Sequence, residues 1–301
     1  MAAATCGVAT WILMLLRVLS VLLLSVSILS LAGCRTTEFL LANAPARFDH
    51  VSRHVGLSYG QDPRQRLDIY VPRRPVNRIV VIFWYGGSWT QGSKSEYRFV
   101  GAALAEHGFM AVLPDYRLFP QVTFPAFDED GARAVAWVEQ HIAQFGGDPT
   151  RIVLMGHSAG AHTASFLALN HAFLRRFGAD PRGIIGLVGL SGPYVLAPDS
   201  PTLHAAFPAP YTEQDWRPIR FVDSQAPPSL LLHGSDDTDV PAREAVELRD
   251  ALLSKHVRVE LRLYPHRGHG DTVASFAALA RWRTPALEDT LEFIGSLATE
   301  H

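Results

Sequence analysis

Short apolar runs alternate along the chain with segments of helical periodicity. Residues 78–84 form a continuous β-branched and aromatic run, which is typical of a strand covered on both faces. Runs of the same type lie at 109–113, 151–155, 184–190 and 229–232. Two further segments alternate polar and apolar positions, as strands nearer a sheet edge do, at 66–71 and 257–264. Helical periodicity recurs at 95–107, 126–145, 159–172, 241–255 and 285–298.

This alternation predicts an α/β domain over residues 51–301, with a mostly parallel sheet of about eight strands and helices on both faces. Residues 192–228 break the rhythm because they are rich in proline and show little periodicity. A long irregular segment in a compact domain is usually a lid or a binding element. We therefore predict a short Pro-rich lid whose aromatic residues are exposed, namely Tyr194, Phe207, Tyr211 and Trp216.

The N-terminus has a separate pattern. Residues 18–32 are fifteen positions without a charge and follow Arg17, as in a secretory signal peptide. The run is shorter than the roughly 20 residues that a membrane-spanning helix needs. Residues 31–34, Leu-Ala-Gly-Cys, resemble the lipobox of bacterial lipoproteins.

This resemblance implies that residues 1–33 are a cleaved signal peptide, that Cys34 is acylated, and that 34–50 tether an exported domain to a cell-envelope membrane. An uncleaved anchor is the alternative, and Met14 is a second possible start. The only cysteines are Cys6 and Cys34, so the domain itself uses neither disulfides nor thiol catalysis.

Composition and charge narrow the function classes. Hydrophobic residues make up 48% of the chain, which excludes intrinsic disorder. The 27 Lys and Arg against 29 Asp and Glu give a net charge of -2, and no basic run occurs. A nucleic-acid partner, which needs a positive surface, is therefore not expected.

The strongest chemical motif is Gly-His-Ser-Ala-Gly at 156–160, which follows an apolar strand and opens a helix. A tight strand-to-helix turn lifts the Ser158 hydroxyl clear of the backbone, and glycine on either side leaves the room this needs. A glycine-rich packing turn is the alternative interpretation. A serine nucleophile needs an acid and a histidine further along the chain. Candidates follow two later strands, at the carboxyl ends where open α/β sheets hold their sites: Asp236, Asp237, Asp239, His266 and His269.

Six segments together resemble one known family. In family order and spacing they are YGGSW at 85–89, DYRLFP at 115–120, GGDP at 146–149, GHSAG at 156–160, HGSDDTDVP at 233–241 and YPHRGHG at 264–270. The chain resembles an α/β-hydrolase of the carboxylesterase group, near the hormone-sensitive-lipase-like, arylformamidase-like and isoprenylcysteine-methylesterase-like members. The resemblance implies a catalytic triad of Ser158, Asp237 and His269. Asp236 and Asp239 are then solvated turn carboxylates, and His266 is the competing base.

The resemblance also implies an oxyanion hole formed by the backbone N–H groups of Gly87, Ser88 and Ala159. Tyr85 departs from the usual His of this loop, which puts the anchoring of the loop in question while leaving the backbone donors in place. Asp115 and Arg117 resemble a structural pair that packs under the site.

Neither a cofactor nor a metal is expected. The chain has no P-loop and no dinucleotide-binding fingerprint. His266, His269 and Asp271 stand close together in sequence, but no second cluster supplies further metal ligands.

The expected function is hydrolysis of small-molecule carboxylic esters through an acyl-enzyme. Two alternatives remain open: an amidase or peptidase on the same fold, and a membrane-tethered binding module without catalysis. The aromatic residues of 192–228 favour an apolar acyl or alcohol group in the substrate.

Overall fold

The computed structural model describes residues 37–45 and 51–298. The predictions for the signal peptide, for Cys34 and for 46–50 fall outside these residues. The chain divides into two compact units, 1–41 and 42–301, and the second contains every candidate catalytic residue. Helix α1 covers 37–43, so part of the segment predicted as a tether is helical. Buried Asn43 donates to the carbonyl of Glu96 at 2.7 Å and accepts from the N–H of Phe99 at 3.0 Å.

An eight-stranded sheet forms the centre of the second unit, in the order β1-β2-β4-β3-β5-β6-β7-β8. The strands are β1 Ser52–Ser58, β2 Arg66–Val71, β3 Val80–Trp84, β4 Met110–Pro114, β5 Ile152–His157, β6 Ile184–Leu190, β7 Ser229–Gly234 and β8 Val259–Tyr264. Strand β2 is antiparallel to both of its neighbours, and all other pairs are parallel. This confirms the predicted α/β-hydrolase fold.

Helices connect the strands. They are α2 Arg98–Glu106, α3 Ala126–His141, α4 Ala159–Leu169, α5 His171–Arg176, α6 Pro201–Ala206, α7 Glu213–Trp216, α8 Arg243–Ser254, α9 Asp271–Ala274 and α10 Ala286–Ser296. No helix within 37–45 or 51–298 is long and apolar enough to cross a membrane.

Two predicted helices end earlier than their periodicity indicates. Helix α3 gives way to a 3₁₀ turn at Ile142–Phe145, which ends at Gly146 with φ 93°. The helix predicted over 159–172 divides at Asn170, whose side chain accepts a hydrogen bond from the N–H of Phe173 and so starts α5.

Burial explains which strands the sequence predicts well. Every residue of β3, β5 and β6 is buried, in agreement with their continuous apolar runs. Strand β8 lies at the sheet edge, as predicted, and only its last residue, Tyr264, is buried. Strand β1 was not predicted, because its residues are mostly exposed and its pairing with β2 shifts register between His54 and Leu57.

The parallel strands share one direction, so their carboxyl ends meet at a single edge of the sheet. Strands β3, β5, β7 and β8 end there at Trp84, His157, Gly234 and Tyr264. The segments that follow these four strands carry all of the predicted catalytic and oxyanion-hole residues.

Candidate active site

Ser158 lies in a strained turn between β5 and α4. Its backbone has φ 55° and ψ -125°, a conformation that non-glycine residues rarely adopt. A Cβ on Gly156 would meet the carbonyl oxygen of Gly160 at 2.1 Å, and a Cβ on Gly160 would meet that of Trp84 at 2.1 Å. Glycine is therefore required on both sides of the serine, and Ser158 itself is half-buried.

Asp237 lies in the turn after β7, with its side chain fully buried. Its Oδ1 accepts hydrogen bonds from the N–H groups of Asp239 at 3.0 Å and Val240 at 2.8 Å. Its Oδ2 lies 2.9 Å from Nδ1 of His269 and 3.1 Å from Nε2 of His233, a nitrogen that also lies 2.9 Å from the carbonyl oxygen of Val240. Burial raises the pKa of Asp237, but the hydrogen bonds from the two imidazoles and from the backbone outweigh it and bring the pKa well below its ordinary value. The carboxylate is therefore ionised.

His269 lies in the loop that follows β8, and its side chain is 17% exposed. Its Nδ1 donates to Asp237, because an ionised carboxylate only accepts. That bond leaves Nε2 as the ring nitrogen free to take a proton. Within the described part of the chain, the Ser158 hydroxyl makes no hydrogen bond to His269. The structure thus brings the acid and the base into direct contact and places the serine at the same edge of the sheet.

His157, which precedes the serine, was not singled out by the sequence. Its Nε2 donates to the main-chain carbonyl of His269 at 3.1 Å, and the two rings lie 4.9 Å apart. Burial lowers the pKa of His157 to about 3, so the ring is neutral. This residue joins the serine turn to the loop of the base. Its position inside the G-x-S-x-G motif gives no sign of this contact.

The competing candidates are far more exposed. The side chain of His266 is 92% exposed and lies 3.5 Å from the exposed carboxylate of Asp236. Asp239 is also exposed and meets Asp237 only through its backbone N–H. Among the described residues, none of the three makes a hydrogen bond or an ion pair with His269.

The loop after β3 packs against the serine turn. A Cβ on Gly86 would lie 2.9 Å from Cβ of Ser158. Gly87, Ser88 and Trp89 have φ of 136°, 50° and 58° in succession. The carbonyl of Gly87 accepts hydrogen bonds from the N–H groups of Thr90 at 2.9 Å and Gln91 at 3.2 Å.

This backbone course leaves donors free at the site. Among residues 37–45 and 51–298, none accepts a hydrogen bond from the N–H of Gly87, Ser88 or Ala159. Ala159 is the first residue of α4, where backbone N–H groups have no partner inside the helix. Free N–H groups next to a serine are suited to bind an oxygen that becomes negative.

The lid segment differs from its prediction. Tyr194, Phe207 and Trp216 are buried, and only Tyr211, at 38% exposure, remains accessible. Phe207 meets Trp89 edge-on with ring centroids 4.9 Å apart. The exposure was wrongly predicted because an irregular segment has no period that shows which residues face inward. Here Phe207 packs against Phe127 of α3, His162 of α4 and Trp89 of the loop after β3.

Asp115 and Arg117 do not pair with each other, contrary to the prediction. Arg117 binds Asp130 of α3 through Nη2 at 2.7 Å and Nε at 2.8 Å. Asp115 accepts from the N–H of Lys94 at 2.7 Å. The reason is that Asp130 is fully buried below the loop, where its charge requires a cation.

No group of three metal-binding side chains occurs among the described residues. The neighbouring positions of His266, His269 and Asp271 in the sequence therefore do not form a ligand set in this part of the chain.

Comparisons with known proteins agree with the fold. A model of the prolyl oligopeptidase family matches residues 130–294, and a model described as BD-FAE matches residues 67–178. The isoprenylcysteine alpha-carbonyl methylesterase of Arabidopsis thaliana is 34% identical over 236 residues, which are 71% of this chain and 55% of that protein. Esterase LipC of Mycobacterium tuberculosis is 32% identical over 239 residues, covering 70% of this chain and 58% of that protein. The chain thus spans little more than half the length of these curated relatives.

Two solved structures extend the comparison. An acetyl ester-xyloside bifunctional hydrolase from Caldicellulosiruptor lactoaceticus has a TM-score of 0.65 and 26% identity, with coverage of 77% of this chain and 88% of that one. Esterase B from Lactobacillus rhamnosis has a TM-score of 0.72 over 90% of this chain and 95% of that one. At 21% identity, the second likeness concerns the fold alone.

Proposed function

This chain belongs to the serine esterases of the α/β-hydrolase fold and, through residues 130–294, to the prolyl oligopeptidase family; we propose that it hydrolyses carboxylic esters of small molecules through an acyl-enzyme. The observation that carries the proposal is the 2.9 Å contact between Asp237 Oδ2 and His269 Nδ1, at the edge of the sheet that also holds the strained Ser158 turn.

In the proposed reaction, Nε2 of His269 takes the proton of Ser158 as the serine oxygen attacks the ester carbonyl. Asp237 keeps the proton of the imidazole on Nδ1 and stabilises the imidazolium that forms. The carbonyl oxygen becomes negative and receives hydrogen bonds from the free N–H groups of Gly87, Ser88 and Ala159. His269 then gives the proton to the leaving alcohol, and water repeats the steps to release the acid.

Hydrolysis of p-nitrophenyl acetate, measured for the wild type and for Ser158→Ala, tests the proposal. We expect turnover in the wild type and loss of essentially all of it in the variant, with an unchanged circular dichroism spectrum. Equal turnover in both proteins would refute the assignment of Ser158.

The packing beside residues 85–92, the loop after β3 that we call the oxyanion loop, favours a short acyl group. Trp89, which follows the donor Ser88, is 2% exposed and lies edge-on to Phe207. Phe207 in turn lies 5.3 Å from Trp216 and 5.7 Å from Phe124, measured between ring centroids. These rings fill the volume on this side of the loop. We therefore expect turnover to fall as the acyl chain lengthens.

The match to the prolyl oligopeptidase family favours a second candidate, cleavage of an amide or peptide bond by the same residues. The matched residues 130–294 include Ser158, Asp237 and His269. A p-nitroanilide and a p-nitrophenyl ester with the same acyl group separate the two activities. The ester proposal requires the larger kcat/KM for the ester after each value is corrected for spontaneous hydrolysis.

We further propose that the protein is an exported lipoprotein of the cell envelope, anchored in a membrane through a lipid on Cys34. The charge-free run at 18–32 and the Leu-Ala-Gly-Cys sequence at 31–34 support this proposal. The full-length chain expressed in bacteria with a labelled fatty acid should incorporate the label. Replacement of Cys34 by Ser should abolish the incorporation, whereas a label retained by the variant would contradict the proposal.

A further inference from the structure

Arg64 contacts both ends of the oxyanion loop. Its Nη2 donates to the hydroxyl oxygen of Tyr85 at 2.8 Å and to the main-chain carbonyl of Gly92, also at 2.8 Å. Tyr85 and Gly92 flank the residues that supply two of the proposed oxyanion donors. One guanidinium nitrogen therefore joins the beginning and the end of the loop.

The same arginine connects the loop to the segment after β4. Its Nε donates to the carbonyl of Tyr116 at 2.7 Å, and the hydroxyl of Tyr116 donates to the carbonyl of Tyr85 at 2.9 Å. The rings of Tyr85 and Tyr116 stack with centroids 4.7 Å apart. Arg64 and the two tyrosines thus form a ring of contacts beneath the loop, and the carboxylate of Asp115 lies 3.9 Å from Nη2 of Arg64.

The ring of Tyr85 also determines the path of the loop. It is 1% exposed and lies where a side chain at position 92 would be, since a Cβ on Gly92 would meet two of its ring carbons at 2.8 Å. Gly92 accordingly has no side chain and adopts φ 110°. Burial raises the pKa of Tyr85 well above its ordinary value, so the hydroxyl stays neutral at physiological pH.

The loop needs such support because its own conformation is unfavourable. Ser88 and Trp89 are two consecutive non-glycine residues in the left-handed region, at φ 50° and 58°. Left-handed backbone at a residue with a Cβ persists only where the surrounding contacts enforce it. Yet this conformation is what leaves the N–H groups of Gly87 and Ser88 without partners.

We propose that Arg64, acting through Tyr85 and Gly92, is a positioning residue that holds the oxyanion loop in its strained, donor-exposing conformation. The inference rests on the proposed esterase function. It predicts an effect of Arg64 on transition-state stabilisation, with little effect on substrate binding.

Tyr85→Phe is the direct test, because it keeps the ring and removes only the hydroxyl that Arg64 contacts. Arg64 lines an open cavity of about 830 Å³, so water is able to replace the lost partner and the fold should be retained. On p-nitrophenyl acetate we expect kcat to fall about tenfold or more, with KM within about twofold of the wild type. The affinity for a boronic acid inhibitor, which forms a tetrahedral adduct with the serine, should fall in parallel.

Arg64→Lys is the second variant. Lysine keeps the positive charge but lacks the planar fork that reaches two acceptors and Tyr116 together. We expect a similar fall in kcat. The kcat of the double variant should be no more than about twofold below that of the less active single variant, because both substitutions act on one set of contacts. This variant carries the test if Tyr85→Phe does not fold.

Tyr70→Phe is the matched control. Tyr70 is as buried as Tyr85 but lies near the end of β2 that is farther from Arg64 along the chain. The Tyr70→Phe variant should keep the kcat of the wild type. If Tyr85→Phe retains the kcat of the wild type, or changes only KM, the inference about Arg64 is overturned and the esterase proposal is unaffected. Absence of Ser158-dependent turnover in the wild type would overturn the esterase proposal, and the inference with it.

Discussion

Oδ2 of Asp237 lies 2.9 Å from Nδ1 of His269, in a carboxylate whose side chain is fully buried. His233, also fully buried, lies 3.1 Å from the same oxygen through its Nε2. Two backbone N–H groups satisfy the other carboxylate oxygen. Because every contact of this carboxylate is made with a donor, it is suited to hold a neighbouring imidazole in one tautomer and to stabilise it when it becomes charged.

Asp237→Asn should preserve the shape of the site and abolish most of the activity. An amide nitrogen facing Nδ1 would favour the opposite tautomer of His269, whose Nε2 then carries a proton and no longer serves as a base. We expect kcat to fall by about 10⁴-fold, by analogy with other serine hydrolases, with a small change in KM.

Asp236→Asn is the control for this variant, since Asp236 is adjacent in sequence but its side chain is 59% exposed. Its kcat should stay within about twofold of the wild type. A larger loss in Asp236→Asn than in Asp237→Asn would reassign the acid of the site.

Phe207→Ala should change the acyl-length preference. Its ring fills the volume between Trp89 and Trp216, so its removal creates space beside the oxyanion loop. We expect the ratio of kcat/KM for hexanoate over acetate p-nitrophenyl esters to rise, and the free energy of unfolding to fall by about 3 kcal/mol. Tyr211→Ala, at the exposed edge of the same cluster, should leave the ratio nearer that of the wild type. An unchanged ratio in Phe207→Ala would show that the acyl group binds elsewhere.

The fully buried His162 should make the protein less stable in acid. Its Nε2 donates to the carbonyl of Trp216 at 2.8 Å, and burial lowers its pKa from 6.5 to about 3. Between these values the unfolded chain binds a proton that the folded chain does not, so the contribution of His162 to stability decreases as the pH falls.

His162→Gln removes this titration and keeps a donor for Trp216. Denaturant unfolding should show a slope of the unfolding free energy against pH that is smaller by about 1.4 kcal/mol per pH unit, between about pH 5.5 and about pH 4. His204→Gln, which replaces an exposed histidine, should leave the slope unchanged. Identical slopes for His162→Gln and the wild type would mean that His162 is protonated inside the fold.

The sequence predicts most of the sheet because the central strands are buried on both faces and consist of unbroken apolar runs. It does not predict β1, whose exposed residues follow the backbone of β2 and need no apolar pattern. It also misjudges the lid, where Phe207 and Trp216 face inward without any periodicity. Hydrophobic patterning thus indicates burial only where regular secondary structure sets a period.

Parts of the candidate site that depend on local contacts are predictable from the sequence, and parts that depend on contacts between distant residues are not. The turn around Ser158 is visible in the sequence because glycines at fixed spacing are required for it. Arg117, in the loop after β4, pairs with Asp130 of α3, and Arg64, in the loop before β2, contacts Tyr85 in the loop after β3. Neither pair has a sequence spacing that marks it, so only the folded chain brings these partners together.

The central claim is that Ser158 forms a covalent acyl-enzyme, and intact-protein mass spectrometry during rapid mixing with p-nitrophenyl acetate tests it most directly. We expect a transient adduct with the mass of one acetyl group, mapped by peptide analysis to Ser158, together with a burst of nitrophenol equal to the enzyme concentration. Ser158→Ala should show neither. An adduct on another residue, or the same burst from Ser158→Ala, would contradict the account.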